Sequence, residues 1–245
     1  MDLDDLPVGR VLTRREALAL FGSAGTLLLL GSGAARRPRG SNPRHLCVVR
    51  PATTQGPYYV DEKLNRSDIR SDPTDRTVKE GALLALTLNV SSIAKGSCAP
   101  LEGAVVDLWH CDADGVYSDA VDPKYFSTKG KKFLRGYQLT DKDGVAKFTT
   151  IYPGWYPGRT PHIHYKIRSP ESAKSPYEFT GQMYFDERMN DRIYAQPPYG
   201  GRGKRTVSNR TDQIYNADGG SLSMLVVTPA KDGYSAAFDV ALDLG

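Results

Sequence analysis

Trp155-Tyr156-Pro157-Gly158-Arg159-Thr160-Pro161-His162-Ile163-His164 gathers two imidazoles, a phenol and a guanidinium within ten residues, in a chain that has only four histidines. Along a strand, side chains at i and i+2 leave the same face. His162 and His164 therefore aim at one spot, while Ile163, Tyr165 and Ile167 turn to the opposite face. A His-x-His pair is half of a metal site or an ordinary polar pair on a strand. The phenol of Tyr156 and the cation of Arg159, in a loop punctuated by Pro and Gly, favour the metal site.

A second segment, Leu101 to Ser118, runs from an apolar stretch through Asp112-Ala113-Asp114-Gly115 to Tyr117. The Asp/Gly run is superficially like a calcium loop, but the later ligand positions, including a terminal glutamate, are missing, so it reads as a tight turn. Gly200-Gly201-Arg202-Gly203-Lys204-Arg205 fails as a phosphate loop, because Arg205 stands where Ser or Thr is required. It reads as a flexible, solvated basic loop near a pocket rim. No nucleophile elbow supports serine hydrolysis. Without a Cys-x-x-Cys, nothing in the sequence points to a thiolate zinc site.

Short strands must position these groups. Leu84, Leu86, Leu88 and Val90 alternate with Ala85, Thr87 and Asn89, a period-two strand. Gly103–Cys111 reads as a strand buried on both faces. Asp141-Lys142-Asp143-Gly144 reads as the turn of a hairpin joining 136–140 to 145–151. Further strands are expected at 163–167, 181–185, 222–227 and 236–242, with one short helix over 186–194. Many short strands with Gly/Pro turns predict an all-β chain, a single β-sandwich domain with long loops around the site.

The charge is uneven. Residues 1–45 hold seven Arg against four Asp/Glu, whereas the remaining 200 residues hold 25 Lys+Arg against 24 Asp+Glu. A nearly neutral body argues against a nucleic-acid partner. Arg14-Arg15 precede an apolar run from Ala17 to Gly31 and then small residues, the pattern of a twin-arginine export signal over 1–35. That run is too short and too rich in Gly and Ser for a stable membrane span. Residues 36–46 read as a linker, and 47–245 as the domain. Export makes a disulfide plausible among Cys47, Cys98 and Cys111, with the pairing open.

Three blocks together resemble the intradiol ring-cleavage dioxygenases, the superfamily of catechol 1,2- and protocatechuate 3,4-dioxygenases. They are Thr53-Thr54-Gln55-Gly56-Pro57-Tyr58-Tyr59, Asp107-Leu108-Trp109 through Tyr117, and Tyr156 through His164. Arg135–Gln138 and Gly181–Phe185 also fit, so the resemblance spans nearly all of 47–228. It implies Fe(III) held by Tyr117, Tyr156, His162 and His164, with Tyr152 and Tyr165 as weaker rivals to Tyr156. It implies that Arg159 stabilises charge on the substrate, that Gln182 orients it, and that Tyr156 takes a substrate proton. Gly56, Pro57 and Tyr58 match the wall of the substrate pocket, and Trp109 matches a supporting aromatic grouped with them.

The implied reaction inserts both atoms of O2 into a catechol between its hydroxyl-bearing carbons, giving a cis,cis-muconate-type diacid. Two phenolates favour the hard ferric ion over ferrous iron or zinc. The resemblance is closest to the smaller exported branch, implying a monomer or homo-oligomer. The competing readings are a non-catalytic β-sandwich that binds carbohydrate or protein, and a zinc hydrolase using His162 and His164.

Overall fold

The computed structural model describes residues 47–244 apart from Lys95 and Ser172; the expected signal segment and linker lie outside them. The chain forms β1 (Leu83–Ala94), β2 (Ser97–Pro100), β3 (Val105–Trp109), β4 (Val121–Asp122), β5 (Phe126–Ser127), β6 (Arg135–Leu139), β7 (Val145–Ile151), β8 (His162–Arg168) and β9 (Glu178–Tyr184). Then follow α1 (Glu187–Tyr194), α2 (Gln213–Ala217), β10 (Val227–Ala230) and β11 (Gly233–Asp243).

Two sheets carry the fold. One is built on β1, which pairs parallel with β11 on one side and antiparallel with β7 and β2 on the other, with β10 outside β11. The other has the order β6-β3-β8-β9, all antiparallel. Leu84, Leu86, Leu88 and Val90 are buried on one face of β1, as their alternation predicts. Ile163, Tyr165 and Ile167 of β8 join the same core from the second sheet, where the Tyr165 ring meets Phe238 of β11 edge-on, centroids 5.5 Å apart. Each such aliphatic side chain contributes about 1.5–3 kcal/mol on burial. Because that core takes the odd-numbered face of β8, the two histidines are left on the other.

The all-β sandwich is therefore the architecture, with three local corrections. The 136–140/145–151 pair is not a hairpin: β6 pairs with β3 and β7 with β1. The Asp141–Gly144 turn forms as read, Gly144 N–H donating to Asp141 O at 2.8 Å, but it is a corner between sheets. Turn residues specify a chain reversal, and what the flanking strands pair with is a tertiary matter. The expected strand over 222–227 does not form: Leu222 and Ser223 end a 3-10 turn at Gly220–Ser223, Met224 makes an isolated bridge to Tyr184, and the strand begins only at Val227. Its apolar residues do not share a face, since Leu222 and Val226 are exposed while Leu225 is buried. The strands β2, β4 and β5 carry no apolar alternation and went unread; β2 is exposed throughout.

The helix is as expected. Asp186 is its N-cap, its carboxylate accepting from the backbone N–H groups of Arg188 and Met189. Cys47 and Cys98 form a disulfide, and Cys111 is a buried free thiol.

Candidate active site

The site lies on the face of β8 turned away from the core. His162 Nε2 stands 3.1 Å from His164 Nε2, 3.2 Å from Tyr156 Oη and 3.5 Å from Tyr117 Oη. Four donor atoms thus converge from three chain segments. The strand period puts the imidazoles side by side. Tyr117 follows the turn after β3, and Tyr156 sits in the loop between β7 and β8.

That turn is built as its sequence suggests. The Asp112 carboxylate accepts from Asp114 N and Val116 N, and Gly115 N–H donates to Asp112 O at 3.0 Å. Gly115 has φ +79°, and a Cβ there would come within 2.2 Å of Trp155 O. Glycine is therefore what lets the Tyr117 turn touch the Tyr156 loop.

Each imidazole is oriented differently. His162 Nδ1 lies 2.6 Å from Thr160 O; a carbonyl only accepts, so Nδ1 carries the hydrogen and Nε2 offers its lone pair to the cluster. His164 Nδ1 is buried and finds no protein hydrogen-bond partner. Its ring is held by packing instead: Trp109 lies flat against it on one side, and Gly56 approaches Cε1 closely enough that a Cβ would sit 3.4 Å away.

The rival tyrosines lie elsewhere. Tyr152 donates to Asn190 Oδ1 at 2.7 Å and packs on Phe185, and Tyr165 is in the core.

Comparisons with known proteins place the chain in a family. The Dioxygenase family profile matches residues 54–207, well over half of the chain and all four converging donors. The chain belongs to the intradiol dioxygenase superfamily. It is similar in structure to an intradiol ring-cleavage dioxygenase from Tetranychus urticae, with a TM-score of 0.68, 32% identity, and coverage of 80% of this chain and 95% of that one. It is 25% identical over 205 residues to chlorocatechol 1,2-dioxygenase of Pseudomonas putida, covering 71% of this chain and 66% of that protein. With the protocatechuate 3,4-dioxygenase beta chain of Burkholderia cepacia it shares 32% identity over 120 residues, 45% of this chain and 50% of that one. The chain thus spans half to two thirds of the length of these curated relatives.

Burial sets the electrostatics of this family member's site. It holds His162 and His164 well below the usual imidazole range, with the nearby Arg159 cation adding to the effect, so both rings are neutral. Burial pushes the Tyr117 phenol well above its ordinary value, and Tyr156 up to about 12 with Arg159 acting against the rise. Among the described residues no group of three His, Cys, Asp or Glu side chains is placed to hold a metal. A cation here would be held by two neutral imidazoles and two phenols.

Arg159 donates from Nη2 to Gln182 Oε1 at 2.7 Å, and Gln182 Nε2 donates to Thr54 O at 2.9 Å. Burial works against the guanidinium charge, but Tyr156, Tyr184 and Asp212 outweigh it and the pKa is raised. Gln182 is fully buried, and its contacts place it as a support for Arg159.

A cavity of about 230 Å³ opens beside Tyr58 and Tyr156, lined also by Val116, Asp122, Phe126 and Arg202. Tyr58 stacks on Tyr117 at 4.8 Å between centroids and donates to Asp122 Oδ2 at 3.0 Å. Pro57 is exposed, and Gly56 and Trp109 lie behind His164 instead of lining this cavity.

The basic loop is solvated at Gly200, Gly201, Gly203 and Lys204, but its two arginines are held. Arg202 donates to Ala113 O and covers the Trp155 ring, and Arg205 pairs with Glu187 and Asp191. Sequence reasoning missed Asp122 and Phe126, in a stretch without periodicity, and Asp212. The Ser/Thr/Asn/Asp-rich run around Asp212 signals only a helix start.

Proposed function

We propose that this chain is a non-haem Fe(III) dioxygenase that opens catechol-type rings between the hydroxyl-bearing carbons, with Tyr117, Tyr156, His162 and His164 as iron ligands. The observation that carries the reading is the convergence of those four donors on one point beside an aromatic-walled cavity. The donor set fits the ion. Neutral imidazoles present lone pairs, and phenols pushed far above neutrality by burial ionise at pH 7 only against a strongly acidic cation. Hard phenolates in turn favour the ferric state. The names of the relatives, catechol-type and protocatechuate dioxygenases, point to the same substrate class.

Bound Fe(III) would supply Lewis acidity to hold both catechol oxygens and a template for the reaction with O2. The chain's own residues do the rest. Tyr156 Oη, an intrinsically strong base with a pKa near 12 when buried here, accepts a hydroxyl proton from the incoming catechol. Arg159, fixed at two of its nitrogens, stabilises the negative charge carried by the deprotonated ring. Tyr58 and Phe126 wall the ring on the cavity side, and Trp109 and Gly56 hold the His164 imidazole from behind. Catechol plus O2 balances the muconate-type diacid, so no external reductant is required.

The test is a panel of catechols under ¹⁸O2 with iron-reconstituted protein. The expected product has gained two labelled oxygen atoms with the ring opened between the former hydroxyl carbons. The resting protein should show a tyrosinate-to-iron absorption that shifts on anaerobic addition of catechol. A protein that stays colourless and iron-free after reconstitution would sink the reading.

We also propose export by the twin-arginine route, supported by Arg14-Arg15 before the apolar run and by the Cys47–Cys98 disulfide, a bond that persists in oxidising compartments. Cell fractionation of wild type against Arg14→Lys/Arg15→Lys tests it; an unchanged distribution would refute it.

A further inference from the structure

The family profile stops at residue 207, but hydrogen bonds to the site do not. Asp212 is fully buried and spends its two oxygens differently. Oδ1 accepts from Tyr215 N at 2.9 Å, the ordinary work of a helix N-cap for α2. Oδ2 accepts twice from elsewhere, from Arg159 Nε at 2.9 Å and from Thr160 N at 2.7 Å. Asn209, in the same segment, accepts from Thr160 Oγ1 at 2.6 Å and donates to Phe185 O at 2.9 Å.

Two site functions hang on this one carboxylate oxygen. The first is the guanidinium. With Nε on Asp212 and Nη2 on Gln182, the fork is fixed in plane and direction, which leaves Nη1 to meet a substrate. The second is a ligand. Thr160, whose N–H is pinned by Asp212, is the residue whose carbonyl accepts from His162 Nδ1 and sets that ring's tautomer. A neutral carboxamide could not serve all three donors, because its NH2 group would face either Tyr215 N–H or the Arg159/Thr160 pair.

We propose that Asp212 is a positioning residue for the reaction, holding Arg159 and, through Thr160, His162. The inference rests on the functional reading above, in which Arg159 meets substrate and His162 is a ligand. A side chain that only capped α2 would leave Arg159 and His162 indifferent to its charge. Misplacement of a catalytic group by about 1 Å costs roughly 100-fold in rate.

The test is a double-mutant cycle of Asp212→Asn and Arg159→Ala in the iron-reconstituted protein. Asp212→Asn alone is expected to lower kcat about 10- to 100-fold at near-normal iron content. It should also shift the tyrosinate-to-iron band through His162. In the Arg159→Ala background the same substitution should lower kcat and the melting temperature by less than it does in the wild type, because only the Thr160–His162 arm and the helix cap are then left to lose.

Multiplying effects on kcat, or an Asp212→Asn protein that melts earlier yet turns over catechol at the wild-type rate with an unshifted band, would reduce Asp212 to a helix cap. If the wild-type protein itself opens no catechol, the functional reading fails separately. The stability half of the cycle, which needs no turnover, still decides whether Asp212 holds Arg159.

Discussion

Trp109 lies flat against His164, the two ring planes 7° apart and their centroids separated by 4.9 Å. The β3–β8 ladder sets this up by placing the two residues opposite each other. With no protein hydrogen bond at Nδ1, the stack is what directs the His164 Nε2 lone pair at the other donors.

Trp109→Ala should therefore release more than packing energy. Removal of a fully buried indole costs about 3–5 kcal/mol. Protein that still folds should lose iron to a chelator faster than wild type, and Trp109→Phe should recover most of both properties. Urea unfolding with an iron-retention time course checks this. Equal retention in all three proteins would show that His164 needs no such support.

Tyr156→Phe keeps the ring and removes one oxygen from the cluster. Stability should change by only about 1 kcal/mol, the net worth of an ordinary hydrogen bond. Turnover should fall at least about 100-fold with loss of the proton acceptor, and the visible absorption should weaken. A zinc hydrolase built on His162 and His164 would keep its rate, so stopped-flow kinetics and a visible spectrum separate the two chemistries.

Gly115→Ala tests the contact between the two tyrosine-bearing segments. The left-handed backbone and the overlap with Trp155 O both oppose a side chain there. The substitution should cost about 2 kcal/mol or more and lower iron occupancy, as Tyr117 and Tyr156 move apart. Calorimetry and metal analysis decide, and a fully loaded variant of unchanged stability would contradict the close approach.

His110 contributes to an acid limb of stability. Burial holds its imidazole down at about 4, against 6.5 for a free side chain. An unfolded chain takes up this proton near pH 6.5, and the native protein does not until about pH 4. The stabilisation is complete above the unfolded value and drains as pH falls between the two, by on the order of 3 kcal/mol in all. Between pH 7 and 4, His110→Gln should give a flatter curve of unfolding free energy than wild type. Parallel curves would exclude His110 as the source.

Much of the site was legible because its signals are local. Period-two spacing put His162 and His164 on one face, the Asp/Gly turn put Tyr117 at its end, and Pro and Gly bent the Tyr156 loop back. The errors share a different cause. The Asp141–Gly144 turn reads as a hairpin from its own residues, but its flanking strands join separate sheets. Arg202 and Arg205 look solvated in a Gly-rich loop, yet distant acceptors and an aromatic ring hold them. Asp212 shows itself only as a helix cap, because its partner Arg159 lies 53 residues away.

By itself the sequence put His162, His164, Tyr156 and Arg159 in one short run with both imidazoles on one strand face, since spacing and strand period are properties of neighbouring residues; Tyr117 joined them only through the family resemblance. The sequence also determined the all-β class, through short alternating runs too brief for helices. Only the tertiary structure decided that four donors from three segments meet around His162 Nε2, that Cys47 pairs with Cys98, and that Asp212 reaches Arg159. Those pairings close over tens of residues. They depend on which sheet each strand joins, and that is set by burial of the shared core and not by any local pattern.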